Sequence, residues 1–414
     1  MRILLISYYF PPAGGAAVMR WLRFIRYLSL KGHRVTVLCS SGGDYPYTDE
    51  SLLQKIPEDL PVIRAKAPKM SRFWKLIAHK KEGLPHGSLD TKEMGWLARL
   101  MVFIRLNFIL PDLRVFWNAS AYRAALKELK SKPYDAVIST GPPHSSHLIG
   151  LKLKKKHPRL KWFTDFRDPW ADIHYLQLKP PLPFIRYLHR SMEKRVLQKA
   201  DNNFIISHAI AAALPEAPKT VIYNGFDPDD FASIEYQESL TLRIKYIGQI
   251  TAGQDALQIL HLCKYIPQKL ELSFIGTRLS ESEIQAFKAE LGSSFRHLPF
   301  MPHQEALNEA VNSDCLILLI NEYSGSKGML TTKLFEYLAS RTPILLIGDT
   351  ASEAAEVIRE CAAGSCFAAH ELKQAAEWMA ELPSGYRTSG NIGAYSVAKQ
   401  IDKLVWTMES KNSY

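Results

Sequence analysis

The sequence predicts an α/β protein with two domains, each a parallel sheet flanked by helices. Three observations carry that reading. The chain has 414 residues, 47% hydrophobic and 22% charged, which suits a globular protein long enough for two separate cores. Near its start, a short apolar run, a glycine-bearing turn, an amphipathic stretch and a second apolar run follow one another as a βαβ unit. From Leu242 onward, apolar runs of strand length again alternate with helix-like stretches, the pattern that builds parallel sheets covered on both faces.

Arg2 to Ser7 reads as the first strand and Tyr8 to Gly15 as a loop, Tyr-Tyr-Phe-Pro-Pro-Ala-Gly-Gly. Ala16 to Lys31 is a predicted helix whose Val18, Leu22, Ile25 and Leu28 face inward; Gly32 ends it, and Arg34 to Cys39 is the next strand. Gly14 and Gly15 at the strand-to-helix turn let a ligand approach the backbone and leave helix amides for an anion. The spacing is not G-x-G-x-x-G, so a nicotinamide dinucleotide site is unsupported, and a tight turn is the plainer alternative. Arg20, Arg23 and Arg26 recur every third residue along the helix. Such arginines are mostly solvated, but Arg20, nearest the loop, is within reach of a bound diphosphate.

Tyr45 to Pro68 is rich in loop residues. From Arg72 to Arg123 the chain turns basic, aromatic and leucine-rich. Phe73, Trp74, Trp96, Phe103, Phe108, Phe116 and Trp117 alternate with Arg72, Lys75, Lys80, Lys81, Arg99, Arg105 and Arg114. A helical insert over residues 70–125, packed on its own domain, is one reading; an amphipathic surface on anionic lipid is the other. No motif supports a nucleic-acid face, and nucleic acid is not an expected partner. Tyr134 to Ser139 is a strand that ends in Thr140-Gly-Pro-Pro-His144-Ser-Ser-His147. His144 thus follows a strand end, where open α/β sheets bind ligands; packing against the next helix is the alternative. Lys161 to Thr164 is the next strand, followed by Asp165-Phe-Arg167-Asp168-Pro-Trp170. Two carboxylates, an arginine and a tryptophan at a sheet edge make a concentrated polar cluster; a self-satisfied Asp–Arg pair at a strand end is the alternative.

Phe204 to Ser207 is a strand, and Thr220-Val-Ile-Tyr-Asn224-Gly225-Phe-Asp227 a turn in which Asn and Gly suit positive φ. Leu242 to Ile247 is a strand ending in Gly248, Leu270 to Ile275 one with Gly276 at its tip, and Cys315 to Ile320 another. Glu322 to Gly328 is a loop that contains Lys327. The run Lys333-Leu-Phe-Glu336-Tyr-Leu-Ala-Ser-Arg-Thr-Pro-Ile-Leu-Leu-Ile-Gly348 reads as a helix, stopped by Pro343, that feeds a buried strand from Ile344 to Ile347. Lys333 and Glu336 share one helical face. A helix start with free amides, a lysine and the preceding Thr331 and Thr332 is a natural seat for a phosphorylated ligand. Glu336 can accept from a sugar hydroxyl; a solvated ion pair is the alternative. Helices from Ser352 to Glu360 and from about Tyr395 to Met408 complete the chain.

The net charge of +11 favours anionic partners without choosing among nucleotides, phospholipid and nucleic acid. Five cysteines show no C-x-x-C pair and no metal spacing, which fits a reducing cytosol. The apolar run after Arg2 is too short for a signal peptide, and the window from Trp96 to Leu110 is too short and too charged to span a bilayer.

The run from Lys333 to Pro343 resembles the donor-binding helix of the family 4-like retaining glycosyltransferases of the GT-B fold. Further segments fit the same group in the same order, among them the Gly14-Gly15 loop, the run from Asp165 to Trp170 and the junction from Thr220 to Asp227. The resemblance implies two Rossmann-like α/β domains facing across a cleft. Residues 1–215 would bind the acceptor, residues 216–394 the nucleotide-sugar, and a C-terminal helix over 395–414 would cross back to the first domain. It implies sugar transfer, with retention, from a nucleotide-sugar donor to a hydroxyl of a glycan or lipid-linked acceptor. No metal and no cofactor are expected. The setting implied is cell-surface polysaccharide synthesis in the cytoplasm, with an anionic membrane surface as a further partner. Gly14, Gly15, Arg20, Gly248, Lys327, Thr331, Thr332, Lys333 and Glu336 are the donor-binding candidates. Arg167, Asp168 and His144 are the catalytic candidates, and Asp165 and Trp170 the acceptor contacts. The chain departs from the family in three places. Arg167 stands where many relatives carry a histidine, Gln249 and Gly253-Gln254 stand where a basic pair holds the diphosphate, and Gly328 stands at the first glutamate of the donor motif. A sugar-nucleotide epimerase or hydrolase, and a non-catalytic nucleotide-sugar-binding scaffold, are the alternatives.

Overall fold

In the computed structural model the described residues are all except 46–47, 70–95, 174–175, 178, 251–252, 321–325, 329 and 411–414. They form two compact units, Met1–Tyr223 together with the chain from Ile401 on, and Asn224–Gln400.

The first unit has strands β1 (Arg2–Ile6), β2 (Arg34–Ser41), β3 (Val62–Lys66), β4 (Ala136–Gly141), β5 (Lys161–Phe166), β6 (Asn202–Ile205) and β7 (Lys219–Val221). They lie in the order β3-β2-β1-β4-β5-β6-β7, and every neighbouring pair is parallel. Central β1 sets Leu4 opposite Thr36 of β2 and Val137 of β4. Ile3 to Ile6 are all fully buried, so the run is continuously apolar rather than alternating. The helices are α1 (Ala16–Leu30), α2 (Trp96–Phe108), α3 (Asn118–Ser131), α4 (Ser145–Lys156), α5 (Pro183–Lys199) and the short α6 (His208–Ala213).

The second unit has β8 (Leu242–Ile247), β9 (Leu270–Ile275), β10 (Phe295–Leu298), β11 (Cys315–Ile320), β12 (Ile344–Gly348) and β13 (Gly364–Phe367), in the order β10-β9-β8-β11-β12-β13 and again all parallel. Its helices are α7 (Leu257–Cys263), α8 (Glu281–Leu291), α9 (His303–Val311), α10 (Thr332–Ser340), α11 (Glu353–Glu360) and α12 (Leu372–Ala380). The last helix, α13 (Val397–Ser410), starts in this unit, and its residues from Ile401 belong to the first. Both sheets are Rossmann-like, as the sequence predicts. In each, strand order reverses once, between β1 and β4 and between β8 and β11, and ligands of open α/β sheets bind beyond the strand ends at such points.

Three local expectations are corrected. Strand β5 runs two residues past Thr164, because Asp165 and Phe166 continue the ladder opposite Thr140 and Gly141. Helix α10 ends before Pro343: Arg341 takes a left-handed conformation (φ 61°) and turns the chain into β12. Arg23 is buried beside Arg20 on α1 rather than solvated. Of the basic aromatic stretch, Arg72, Phe73, Trp74, Lys75, Lys80 and Lys81 lie outside the described residues. Among the described residues no helix is long and apolar enough to cross a membrane.

Packing beneath the first unit's site is tight. A Cβ added to Gly150 of α4 would lie 2.1 Å from Nε1 of Trp162. That indole donates to Ser139 Oγ at 2.9 Å, and the same hydroxyl lies 3.0 Å from Nδ1 of His147. Gly150→Ala gains up to about 1 kcal/mol of helix propensity. It must also displace a buried indole, and overpacking of that kind costs about 1–3 kcal/mol. The variant is therefore expected to unfold at lower urea than the parent; an equal or higher midpoint would refute this packing.

Candidate functional site

In the second unit the sheet edge gathers a cation and a carboxylate. Gly248 follows β8 with φ 99°, a conformation that favours glycine. A Cβ there would be in ordinary contact with Lys333, whose Nζ would lie 3.5 Å from the added carbon. Lys333 is in the first turn of α10, where its Nζ donates to the Tyr246 hydroxyl at 3.0 Å and lies 4.2 Å from that ring's centroid. The hydroxyl in turn donates to the carbonyl of Gln249 at 3.1 Å. Burial pushes the Lys333 amine down to about 7, with Glu336 pulling the other way. Among the described residues no carboxylate lies within ion-pair distance of it. Thr331 precedes α10 without capping it, and its buried Oγ1 has no hydrogen-bond partner. Thr332 opens the helix. Glu336 Oε1 sits 2.9 Å from Nε2 of His303, the first residue of α9. Lys327 is exposed in the short turn Ser326–Gly328. Gly248, Thr331, Lys333 and Glu336 are thus brought to one edge. Tyr246 and His303 join them without having been found in the sequence, because each lies far from the motif along the chain.

In the first unit Gly15 caps α1 at φ 100° with open space around it. Arg20 and Asp165 do not face ligand space. They form an ion pair of 2.8 Å with both side chains 1% exposed. Arg20 also donates to the carbonyls of Tyr223 (2.7 Å) and Ile222 (3.0 Å), while Trp21 Nε1 (2.9 Å) and Thr140 Oγ1 (2.8 Å) donate to Asp165. Burial alone would raise the Asp165 pKa. Arg20, Arg167 and the bonds from Arg20 and Thr140 outweigh it and hold the carboxyl below its ordinary value. The expectations that Arg20 meets a diphosphate and Asp165 an acceptor are therefore corrected. As part of β5, Asp165 turns its side chain into the core, and the pair is spent on itself.

Trp170 is likewise interior, its Nε1 donating to His189 and its backbone amide to Glu193. It stacks on His144, centroids 5.3 Å apart. His144 and His147 are buried, and burial drives both away from protonation, His147 down to about 3. Neutral histidines in an aromatic stack serve here as packing. What reaches the edge is Arg167, half-buried, with Nε donating to Thr140 Oγ1 at 3.3 Å and Nη2 to the Pro142 carbonyl. Beside it stands Asp168, open to solvent yet closely surrounded by protein, whose carboxyl is pushed up to about 6 by lost hydration against the pull of Arg167. Arg114 and Tyr9, hydrogen-bonded to each other, add a second half-buried arginine and a phenol to this edge. Neither was singled out in the sequence as part of a site, since each reads as one residue of an aromatic or basic run.

Two Rossmann-like units of parallel sheet and alternating helices are the GT-B fold of glycosyltransferases. Solved structures share that fold over the whole chain. They include Anabaena HepE in complex with UDP and glucose (13% identity, 99% of this chain and 100% of that one, TM-score 0.60). The apo form of the lipopolysaccharide outer core galactosyltransferase WaaB is similar (14%, 99% and 100%, 0.60). So is sucrose-phosphate synthase from Thermosynechococcus elongatus (13%, 99% and 96%, 0.58). The Glycosyltransferase Family 4 model matches residues 13–230, more than half of the chain, and the chain belongs to that family. No curated protein matches it.

Removing one partner of a buried ion pair strands the other charge, which costs about 3–5 kcal/mol. Asp165→Asn is expected to lower unfolding free energy by that order in chemical denaturation; a loss under about 1 kcal/mol would show that the pair is not the buried tie described.

Proposed function

We propose that this glycosyltransferase takes a nucleotide-sugar donor in its second unit and transfers the sugar, with retention and without a metal, to a hydroxyl of a glycan or lipid-linked acceptor held by the first. The observation that carries the donor half is Lys333, a desolvated amine against Gly248 at the start of α10. An amine held near neutrality gains most when an anion arrives, and the helix amides add their partial positive charge. Lys333 would thereby stand in for the basic pair that Gln249 and Gly253-Gln254 replace. Stabilising the leaving diphosphate is the main catalytic effect assigned to the chain. Each oriented donor of that kind is typically worth about 2.7–4 kcal/mol of barrier. Glu336 would accept from the ribose. Arg167 and Asp168, with Arg114 and Tyr9 beside them, would orient the acceptor at the edge of the first sheet. The proposed setting is cell-surface polysaccharide synthesis.

A non-catalytic scaffold is the second reading, favoured by Gly328 at the first motif position. A panel of UDP-, GDP- and ADP-sugars separates the two by thermal shift and diphosphate release. Stabilisation by one base, with release lost in Glu336→Ala, is the expected outcome; binding without release under any acceptor mixture would move the assignment to a scaffold. Binding should also weaken with pH in a set direction. Below pH 7 Lys333 is charged with or without ligand, so affinity is highest there. Above it, binding must draw a proton from solvent, and affinity falls until the bound-state pKa is passed.

The first unit would also dock on anionic membrane, peripherally, at the inner face of the cell membrane. Trp96 and Phe108 of α2 are 77% and 71% exposed, and Phe184 and Tyr187 of α5 are each 67% exposed. The two helices meet where the Leu182 amide donates to Asn107 Oδ1 at 2.8 Å. Aromatics at headgroup level with Arg99 and Arg105 nearby suit an interfacial helix. Phe108→Ser with Phe184→Ser is expected to abolish flotation with phosphatidylglycerol vesicles; unchanged flotation, or none in the parent, would end the membrane reading.

A further inference from the structure

We infer that His303 is a positioning residue for Glu336, fixing that carboxylate so that it reads a vicinal diol such as the ribose of a nucleotide. This inference rests on the donor reading of Glu336. The contact is 2.9 Å between Nε2 and Oε1, with the two side chains only 22% and 17% exposed. A carboxylate can only accept, so the proton of this bond belongs to Nε2. Nδ1 is buried and has no hydrogen-bond partner. The contact therefore uses Nε2 as its donor, and the ring is carried at the start of α9. A carboxylate has about four acceptor positions, so a bond from one imidazole restricts its rotamer without using all of them.

Pro302 precedes His303 and sets the helix entry, so the ring is carried by the first residue of a helix rather than by a loop. Glu336 lies on α10, and the two helices pack against each other. The bond thus ties the start of α9 to the middle of α10 and restricts a side chain of three rotatable bonds.

Calorimetry on the full chain tests this with UDP, GDP and ADP, each beside its 2′,3′-dideoxy counterpart. The proteins are the parent, His303→Ala, His303→Gln, Glu336→Ala and the double variant His303→Ala with Glu336→Ala. His303→Ala is expected to weaken the ribonucleotide about tenfold, the scale of one hydrogen bond to a charged group, and to leave the dideoxynucleotide nearly unchanged. His303→Gln, whose amide can still donate, is expected to stay within about threefold of the parent. In the Glu336→Ala background the alanine at 303 should change nothing further. Equal losses for both sugar forms, or a loss that persists without Glu336, would overturn the inference and leave the donor reading standing. A parent that binds none of the nucleotides would overturn both.

Discussion

The carboxylate of Asp165, on β5, is buried in the first unit with three donors converging on it from two elements: Arg20 and Trp21 from α1, and Thr140 from the end of β4. Arg20 extends the tie to the carbonyls of Ile222 and Tyr223, just beyond β7. Burying two ions costs several kcal/mol each, and their attraction roughly repays it, so the pair adds little net stability. Its effect is positional. Any slip of α1 along the sheet would strand a charge in the core, and the glycine loop that opens α1 is fixed by the same requirement. Arg167 and Asp168 follow directly on that strand, so their place at the sheet edge is inherited from Asp165.

The second unit holds two lysines out of water in different ways. Lys245 is matched completely, with Glu309 Oε2 at 2.6 Å and the carbonyls of Glu309 and Asn312 around it. Lys333 has a phenol hydroxyl and a ring face. The first arrangement offsets the cost of burial within the protein; the second leaves more of it outstanding, which is what the proposed donor diphosphate would relieve. Both amines are depressed by the same loss of hydration.

Much of this architecture was legible along the chain. Strands such as Leu242–Ile247, Leu270–Ile275 and Cys315–Ile320 follow from short apolar runs bounded by glycine or polar residues, a local signal. Gly248, Thr331, Lys333 and Glu336 could be grouped from the sequence because strand tips and helix starts are themselves local features. The errors share a cause. Whether Asp165 ends a strand or lies within it depends on its partners Arg20 and Trp21, which are far away in sequence. The same holds for His144 and Trp170, whose stacking against each other makes them core. His303 and Tyr246 were missed for the converse reason: nothing near them in sequence marks a site, and only the folded sheet brings them to Glu336 and Lys333.

The aromatic surface on α2 and α5 bears on how many copies of this chain can stay dispersed. Side chains such as Trp96, Phe108, Phe184 and Tyr187 hydrate poorly, and two copies that meet there hide area from water as effectively as a copy that meets another apolar surface. Self-association grows with concentration, whereas occupation of a fixed surface saturates. Raising the amount of this chain therefore favours contact between copies at these helices, so its dispersal falls as its concentration rises.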